Sequence, residues 1–436
     1  MRKIFFTAII AFLAIGLYAQ DTAQVEPLPV QQQTGKVNLK VVYEKTFDEP
    51  IVDVIFDTAT VSIEEAKKVG WKEGAFTEEE KAKGKVLISY PKVIFVSQGR
   101  ELIWYGPARR SSYYTKEIRF YDRNGKIINR LSLKEFGEKY VYLSPQQKYI
   151  LIAKIPTEWA PGYSGGILYD IDGNKIWEIE GPTPIAVSDE CYAVAAYLDW
   201  QIPPKPGGDF YVYDSKGKLL RTIENPMKEK TAPLFAEYSK DGEYAILVFA
   251  MPTFPPTELI LITKAGKIIW KKELSKYRFT PHRGSNEEID ILPYKVIGLS
   301  GGIIIDWEGN LKWERTSNWG GIRGCTFSQN EQNFYIYGAN RLYSLNIDNG
   351  KNIWEHTQHW DSEDKVLKFV EMFEIHQYIG IKGHPNKIFI FESKTGKLKT
   401  EVEYSDTQIF LTQYNGHIFV IDTGHKKILG LKIEEE

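Results

Sequence analysis

Short apolar stretches alternate with polar turns along most of this chain, and the alternation follows a recurrent pattern. An apolar stretch, a turn containing Gly and a second stretch that reaches Trp recur as ILYDIDGNKIWEIE (167–180), LILITKAGKIIWKKE (259–273), GIIIDWEGNLKWE (302–314) and LYSLNIDNGKNIWE (342–355). Two β-branched or aromatic stretches joined by a Gly turn predict a β-hairpin. Because the hairpin recurs, the sequence predicts a repeat protein built from β-strands.

The period of the repeat predicts the architecture. Successive turn glycines are 41 to 49 residues apart, except for a final interval of 28 residues. These glycines are Gly125, Gly173, Gly217, Gly266, Gly309, Gly350, Gly396 and Gly424. An interval of 40 to 50 residues is typical of one four-stranded propeller blade. The eight turns therefore predict an all-β propeller, most simply with eight blades.

Both ends of the repeat array are irregular. The final interval is too short for a full blade, so one strand is missing at the C-terminal end. The segment NLKVVYEKTF (38–47) can supply that strand and close the ring, which removes the open sheet edges. The first repeat, between 48 and 116, is poorly defined. If it is an insertion and not a blade, seven blades remain.

A second signal precedes the hairpin within several repeats. Ser, polar residues and an aromatic residue lead into an apolar strand in SPQQKYILIA (144–153), SDECYAVAA (188–196), SKDGEYAILV (239–248) and SQNEQNFYIY (328–337). We interpret this as the turn between the first two strands, capped by Ser, with the aromatic residue packed between blades. Asp122, Asp170, Asp214 and Asp306 stand three residues before their glycines, which predicts turn capping and not catalysis.

The remaining segments divide the chain into regions. Arg2 and Lys3 precede an apolar run and a small-residue site at Ala19, so residues 1–19 are predicted to be a cleaved signal peptide. An uncleaved anchor is the alternative, although the apolar run is short for a membrane span. Residues 20–36 are a predicted flexible linker, and 37–436 a single propeller domain with a helical insertion near 62–84.

Composition limits the function classes. The chain has 436 residues and a formal net charge of -2, which argues against nucleic-acid binding. Cys191 and Cys325 lie in different repeats and are predicted to be buried free thiols. The sequence lacks nucleophile, phosphate-loop and dinucleotide motifs, and we expect no cofactor. His356, His359 and Asp361 have side chains that can ligate a metal, but their spacing in a loop does not support a site.

The Gly-to-Trp spacing of four residues carries a resemblance to a known superfamily. Gly173/Trp177, Gly266/Trp270, Gly309/Trp313 and Gly350/Trp354 resemble the Trp docking motif of quinoprotein-like and WD40-like bacterial propellers. In that superfamily the Trp joins neighbouring blades. Asn129, Arg221 and Thr400 replace it here in other repeats. The redox members use a vicinal Cys pair, which is absent here, and the scaffold of the outer-membrane assembly machinery, similar in style, carries a lipid-bearing Cys that is also absent.

The connections between second and third strands differ among repeats. Those of the first four repeats are long and rich in aromatic residues and Pro: PARRSSYYTK (107–116), PTEWAPGYSG (156–165), DWQIPPKPGG (199–208) and MPTFPPTE (251–258). In a propeller these loops share one face. Exposed aromatic residues and Arg are typical anchors of binding sites. The predicted binding residues are Arg109, Arg110, Tyr113, Tyr114, Trp159, Tyr163, Trp200 and Phe254.

Together these features predict a periplasmic or secreted β-propeller that binds a protein or carbohydrate partner as a monomeric, non-catalytic scaffold. The alternative is a carbohydrate-active lyase or hydrolase whose residues face the central channel, since such a site leaves no local motif. A carboxylate pair in the channel would favour the enzyme. A quinone-binding redox protein is the third possibility.

Overall fold

The chain folds into eight blades of four strands each. The first strand, β1 (Val37–Thr46), is the one predicted to close the ring, and it completes the eighth blade. A computed structural model describes residues 37–97, 115–134, 139–154, 164–197, 207–251, 254–273, 289–299, 302–314, 322–338, 341–357, 369–383, 387–403 and 409–435. The predicted signal peptide and linker lie outside the described residues. No helix in these described ranges is long and apolar enough to cross a membrane.

The first four blades are four-stranded antiparallel sheets in sequence order. Blade 1 contains β2 (Ile51–Ser62), β3 (Lys85–Ser97), β4 (Thr115–Tyr121) and β5 (Ile127–Ser132). Blade 2 contains β6 (Lys139–Leu143), β7 (Tyr149–Lys154), β8 (Gly165–Asp170) and β9 (Lys175–Glu180). Blade 3 contains β10 (Thr183–Val187), β11 (Ala193–Ala196), β12 (Phe210–Tyr213) and β13 (Leu219–Ile223). Blade 4 contains β14 (Ala232–Tyr238), β15 (Tyr244–Met251), β16 (Phe254–Thr263) and β17 (Ile268–Glu273).

The last four blades repeat this order, and the eighth borrows β1 as its outer strand. Blade 5 contains β18 (Ile289–Leu292), β19 (Val296–Leu299), β20 (Ile303–Asp306) and β21 (Leu311–Glu314). Blade 6 contains β22 (Ile322–Phe327), β23 (Asn333–Gly338), β24 (Arg341–Asn346) and β25 (Asn352–Thr357). Blade 7 contains β26 (Phe369–Ile375), β27 (Tyr378–Gly383), β28 (Lys387–Glu392) and β29 (Leu398–Glu403). Blade 8 contains β30 (Ile409–Tyr414), β31 (His417–Asp422), β32 (Lys427–Glu435) and β1.

The predicted eight-bladed propeller and its closing strand are confirmed. β1 pairs antiparallel with β32 from Val37↔Glu435 to Thr46↔Lys427, so the two ends of the array share one sheet. The first repeat is a true blade, so the seven-blade alternative is wrong. Gly424 lies in the turn between β31 and β32, the second and third strands of blade 8, and not at the third-to-fourth position of the other seven glycines.

Two short helices separate the first two strands of blade 1. α1 (Ile63–Lys68) and α2 (Glu78–Lys83) flank a 3-10 turn (Glu73–Ala75). Ser62 and Thr77 begin the helices, and each forms a reciprocal capping box with a Glu three residues later. The capping boxes explain why so polar a stretch is helical between two long strands.

This insertion also contacts the closing strand. The backbone N–H of Lys72 donates to Val42 O at 2.9 Å, and Glu44 N donates to Gly70 O at 3.0 Å, along the outer edge of β1. The Trp71 indole donates to Ser89 O in β3 at 2.9 Å, and its ring centroid lies 5.5 Å from that of Tyr43. The insertion therefore links blade 1 to blade 8 across the point where the ring closes.

The core is divided among the interfaces between blades. One apolar cluster combines blades 3 and 4, where the Phe210 and Phe249 rings meet edge to face at 4.7 Å. Further clusters join blades 4 and 5, 5 and 6, and 7 and 8. Because each blade buries its faces against two neighbours, the repeat is stable only as a closed array.

The tryptophans join adjacent blades, as the resemblance implies. Each indole Nε1 donates to a backbone oxygen of the next blade: Trp177 to Cys191 (3.2 Å), Trp270 to Trp307 (3.0 Å), Trp313 to Ile347 (2.7 Å) and Trp354 to Ser393 (2.8 Å). Each ring also covers a turn glycine of that next blade, where a side chain would collide with it. Asn129 makes a weaker version of this contact, donating to Gly173 O at 3.3 Å.

Candidate functional site

The antiparallel order gives the propeller two chemically different ends. The connections between second and third strands, and those between blades, leave from one end, which we call the loop end. The turns between first and second strands, and between third and fourth strands, lie at the opposite end, which we call the turn end.

The predicted binding residues belong to second-to-third connections, whose flanking strands end at the loop end. The second-to-third connections span 98–114, 155–164 and 197–209 in blades 1 to 3, but only 300–302, 339–340 and 384–386 in blades 5 to 7. Seven of the predicted residues lie outside the described residues: Arg109, Arg110, Tyr113, Tyr114, Trp159, Tyr163 and Trp200. Their predicted grouping stays a prediction.

The prediction of a long loop at 251–258 in blade 4 is wrong. β15 continues to Met251 and β16 begins at Phe254, so the two strands end in a tight hairpin. The pairing register shifts between Phe249 and Met251, opposite Pro255 and Pro256. Proline has no N–H for the ladder and is tolerated at such irregularities, which explains how a Pro-Pro pair is accommodated in a strand.

The ends of the long connections are firmly attached to the blades. Ser97 N, where the first connection begins, donates to Pro50 O at 2.8 Å. The second connection begins after Lys154. The Lys154 ammonium donates to the Glu178 carboxylate at 2.9 Å, and the Lys154 backbone carbonyl accepts from the Thr183 hydroxyl at 2.9 Å. Gly207 N donates to Thr231 O at 2.8 Å in the third. The loops of blades 1 to 3 therefore start from a fixed scaffold.

A buried arginine organises the charges beside the first connection. The Arg119 side chain is 3% exposed; it donates to Asp48 at 2.6 Å and to Glu117 at 2.5 Å, and it also bonds Glu49. A hydrogen bond from Lys116, together with the charges of Lys116 and Arg119, holds the pKa of Glu49 below its ordinary value. This cluster ties the β1–β2 connection to β4, and its carboxylates are already paired.

At the turn end, Ser caps the first turn in blades 2, 3, 4 and 6, and Asp caps the last turn in blades 1, 2, 3 and 5. Ser144, Ser188, Ser239 and Ser328 are buried, and each hydroxyl accepts backbone N–H groups of its own turn. This confirms the predicted capping role. The carboxylates of Asp122, Asp170, Asp214 and Asp306 likewise accept backbone N–H groups within their turns.

A cleft of about 220 Å³ lies at the turn end among the inner strands of blades 4 to 7. Its walls include Glu237, Lys240, Asp290 and Thr326. Asp290 accepts from Thr326 Oγ1 at 2.9 Å, from Phe327 N at 2.9 Å and from Lys240 Nζ at 3.2 Å. A carboxylate with these bonds joins three blades, an arrangement typical of a structural tie and not of an acid–base catalyst.

Three aromatic residues at the turn end of blades 4 and 5 form a contiguous surface, which we call the aromatic platform. It consists of Tyr244 after the first turn of blade 4, Tyr294 in the first turn of blade 5 and Trp307 in the last turn of blade 5. Ring centroids are 5.4 Å apart for Tyr244–Tyr294, 4.8 Å for Tyr244–Trp307 and 5.4 Å for Tyr294–Trp307. The Tyr244 and Tyr294 hydroxyls are hydrogen-bonded to each other.

Sequence reasoning missed Tyr294 because the first turn of blade 5 lacks the Ser signal. The available clue was a bulky residue in the short turn Pro293–Tyr294–Lys295 between apolar strands. Tyr244 was assigned to packing between blades, and its ring does contact the next blade. Cys191 and Cys325 are buried thiols that form no disulfide with each other, as expected, and they lie in blades 3 and 6. They do not form the vicinal pair of the redox propellers.

Comparisons with solved structures give the same fold at low identity. BamB from Moraxella catarrhalis aligns with a TM-score of 0.50 and 10% identity, over 91% of this chain and 100% of that chain. The Dos1 propeller aligns with 0.54 and 11%, over 90% and 95%. The computationally designed Ika8 protein aligns with 0.52 and 11%, over 91% and 100%. No protein-family model and no curated protein matches the chain.

These similarities confirm the propeller fold and the resemblance to bacterial propellers at the level of fold. A designed protein aligns as well as the natural ones, so the likeness carries no information about ligands. Any functional conclusion must therefore come from this chain's own residues.

Proposed function

We propose that this protein is an exported, non-catalytic propeller that binds a protein or glycan partner through a rim at the loop end of blades 1 to 4. The rim comprises the connections 98–114, 155–164 and 197–209 and the hairpin tip at 251–254. The predicted signal peptide, residues 1–19, would direct the chain to the periplasm or the medium.

The observation that carries the proposal is the inequality of the second-to-third connections. A propeller needs only two or three residues there, as blades 5 to 7 demonstrate. Blades 1 to 3 have much longer connections, and these contain Trp, Tyr, Arg and Pro. Folding gives no reason for such length in three consecutive blades, whereas loops displayed on a rigid scaffold are common binding elements.

The chemistry of these loops fits partner capture. Trp, Tyr and Arg contribute most of the binding free energy in many interfaces. Proline restricts the free loop and lowers the ordering cost of binding. The described ends of the loops are hydrogen-bonded to the blades, so changes within the rim should leave the fold intact.

The test replaces Arg110, Trp159 and Trp200 together by Ala and measures capture of partners from the exporting cell's envelope by the purified, immobilised protein. We expect capture to be lost while the melting temperature stays unchanged. The matched control replaces three exposed apolar residues of outer strands, Ile128, Leu220 and Ile353, by Ala. Capture by the rim variant at the wild-type level would contradict the proposal, as would equal loss in the control.

A further inference from the structure

The aromatic platform lies at the turn end, opposite the rim. Tyr244 and Trp307 pack against the apolar core between blades 4 and 5, whereas Tyr294 adds a ring that this core does not include. Tyr294 is 72% exposed, the largest exposure among the large apolar and aromatic side chains of the described residues. Exposing a ring of this size leaves about 150 Å² of partly apolar surface in water. Its neighbours Tyr244 and Trp307 are only partly buried, so the exposed surface is continuous across blades 4 and 5.

The backbone at Tyr294 is also unfavourable for an aromatic residue. Its φ is 60°, in the left-handed region that favours glycine and asparagine. The first turns of most other blades share this conformation: Gly242 and Asn415 in blades 4 and 8, and Gln147, Cys191, Glu331 and His376 in blades 2, 3, 6 and 7, also have positive φ. The left-handed φ therefore belongs to the turn, and blade 5 is distinguished by the large, exposed aromatic ring that it places there.

The platform is preorganised by bonds that belong to the fold. Trp307 O accepts the docking indole of Trp270 at 3.0 Å. Tyr244 N donates to Ser239 Oγ at 3.2 Å, and Ser239 N donates back to Tyr244 O at 2.8 Å. Tyr294 is held in a turn closed by Lys295 N donating to Leu292 O at 3.1 Å. Because the turns are already held in place, ordering the three rings should take little of the binding free energy.

Ring spacing excludes a cage for a cation. The three centroid separations, 4.8 to 5.4 Å, mean that the rings touch one another. A quaternary ammonium needs space between rings, each within about 6 Å of the charge, and no such space exists between rings in contact. A ligand must therefore lie on the platform, against the open part of Tyr294.

The charged groups around the platform are paired with one another. Lys264 pairs with Glu243 at 2.7 Å and with Glu190 at 2.6 Å, and Lys295 pairs with Glu331. The hydrogen bond with Tyr294, and then burial, raises the pKa of Tyr244 to about 12, so its hydroxyl stays neutral at physiological pH. Two ammonium groups and three carboxylates leave one net negative charge, which disfavours an anionic ligand and, with a cation cage excluded by the ring spacing, suits a neutral one.

We propose that the aromatic platform formed by Tyr244, Tyr294 and Trp307 is a binding site for the pyranose rings of a neutral glycan. A pyranose has a flat face of C–H groups with partial positive charge, which complements the negative face of an aromatic ring. Its hydroxyl groups, at the edge, can bond the Tyr244–Tyr294 hydroxyl pair. Three rings match one or two sugar units, whereas a stable protein interface needs about 800 Å² on each partner.

The test uses saturation-transfer NMR with neutral hexasaccharides of glucose and of N-acetylglucosamine, in α- and β-linked forms. Wild-type protein should bind at least one of them. Tyr294→Phe, which keeps the ring, should bind within about two-fold of wild type, and Tyr294→Gly should weaken binding about ten-fold or more. Because glycine suits the left-handed backbone, the Gly variant should melt at or above the wild-type temperature.

The matched control is Ile128→Ala on the outer strand of blade 1, which removes a 50% exposed apolar side chain that belongs neither to the platform nor to the rim. It should leave glycan binding unchanged. The proposal is overturned if no hexasaccharide binds wild type, if Tyr294→Gly binds normally, or if that variant loses a protein partner and no glycan. Binding at the platform is identified by its loss in Tyr294→Gly and its retention in the rim variant, so failure of one proposal does not imply failure of the other.

Discussion

The Trp71→Ala variant should weaken closure of the ring, although Trp71 belongs to the helical insertion and to no blade. The side chain is 6% exposed. Its indole donates to Ser89 O in blade 1 at 2.9 Å, while its ring contacts Tyr43 at 5.5 Å and His417 at 5.1 Å in blade 8. Removing the indole therefore removes contacts with both blade 1 and blade 8, the two blades that meet where the propeller closes.

The size of the effect follows from burial and hydrogen bonding. A Trp side chain of about 200–250 Å², at about 25 cal/mol per Å², gives an upper limit of about 5–6 kcal/mol. Truncation of large aromatic residues in cores costs about 3–5 kcal/mol. The indole hydrogen bond contributes about 1 kcal/mol of the total. We expect the free energy of unfolding to fall by about 4 kcal/mol.

The assay combines urea denaturation with amide hydrogen exchange followed by mass spectrometry. Exchange should accelerate in β1 and β32, because the bonds from Lys72 N and Glu44 N no longer hold the edge of β1. Peptides of blade 4 should exchange at the wild-type rate. Leu87→Ala, at an exposed residue of β3, is the control and should change stability by about 0.5 kcal/mol or less.

Two results would refute this reasoning. A loss below about 1 kcal/mol would mean that the insertion packs on the ring without stabilising it. Uniformly faster exchange in all blades would mean that Trp71 supports the whole array and not its closure.

Two further predictions concern the same kinds of contact. Gly396→Ala should lower the melting temperature more than Gly84→Ala. Both glycines have φ near 68°, but only at Gly396 would an added Cβ meet another side chain, that of Trp354 at 2.4 Å. Equal shifts in melting temperature would show that the Trp354 ring can move aside. Burial lowers the pKa of His417, so the neutral imidazole is favoured in the fold. As the pH falls below about 6.5, the unfolded chain takes up this proton first and stability should decrease, as measured by melting temperature against pH. That decrease should be smaller in His417→Phe, and an unchanged profile would contradict it.

The sequence predicted those parts of the fold that depend on local chemistry. Turn glycines, Ser caps and docking tryptophans each follow a short sequence pattern of about 15 residues or fewer, so each can be recognised within a single repeat. Ring closure was also predictable, because a missing strand at one end needs a partner at the other. Gly424 departed from the pattern in a readable way, because the interval of 28 residues before it is too short for a full blade.

Contacts between distant segments were not predictable. Trp71 lies in a polar helical stretch, and nothing near it in sequence indicates that it packs between Tyr43 and His417. The aromatic platform unites residues from three turns of two blades, and only the blade-to-blade geometry brings them together. The hairpin at 251–254 was missed because Pro-Pro normally ends a strand, whereas a register shift accommodates it here.

The two ends of the propeller differ in how a binding site can arise without loss of stability. At the loop end a connection can lengthen freely, because its ends are fixed by the blades and loop length costs little free energy. At the turn end the connections, except for the helical insertion between β2 and β3, are short and closed by buried Ser or by backbone bonds, so their length is constrained. A site there must use the few side chains that point outward from fixed turns. Tyr294 is such a position, and its left-handed backbone explains why its replacement by glycine should separate ligand binding from stability.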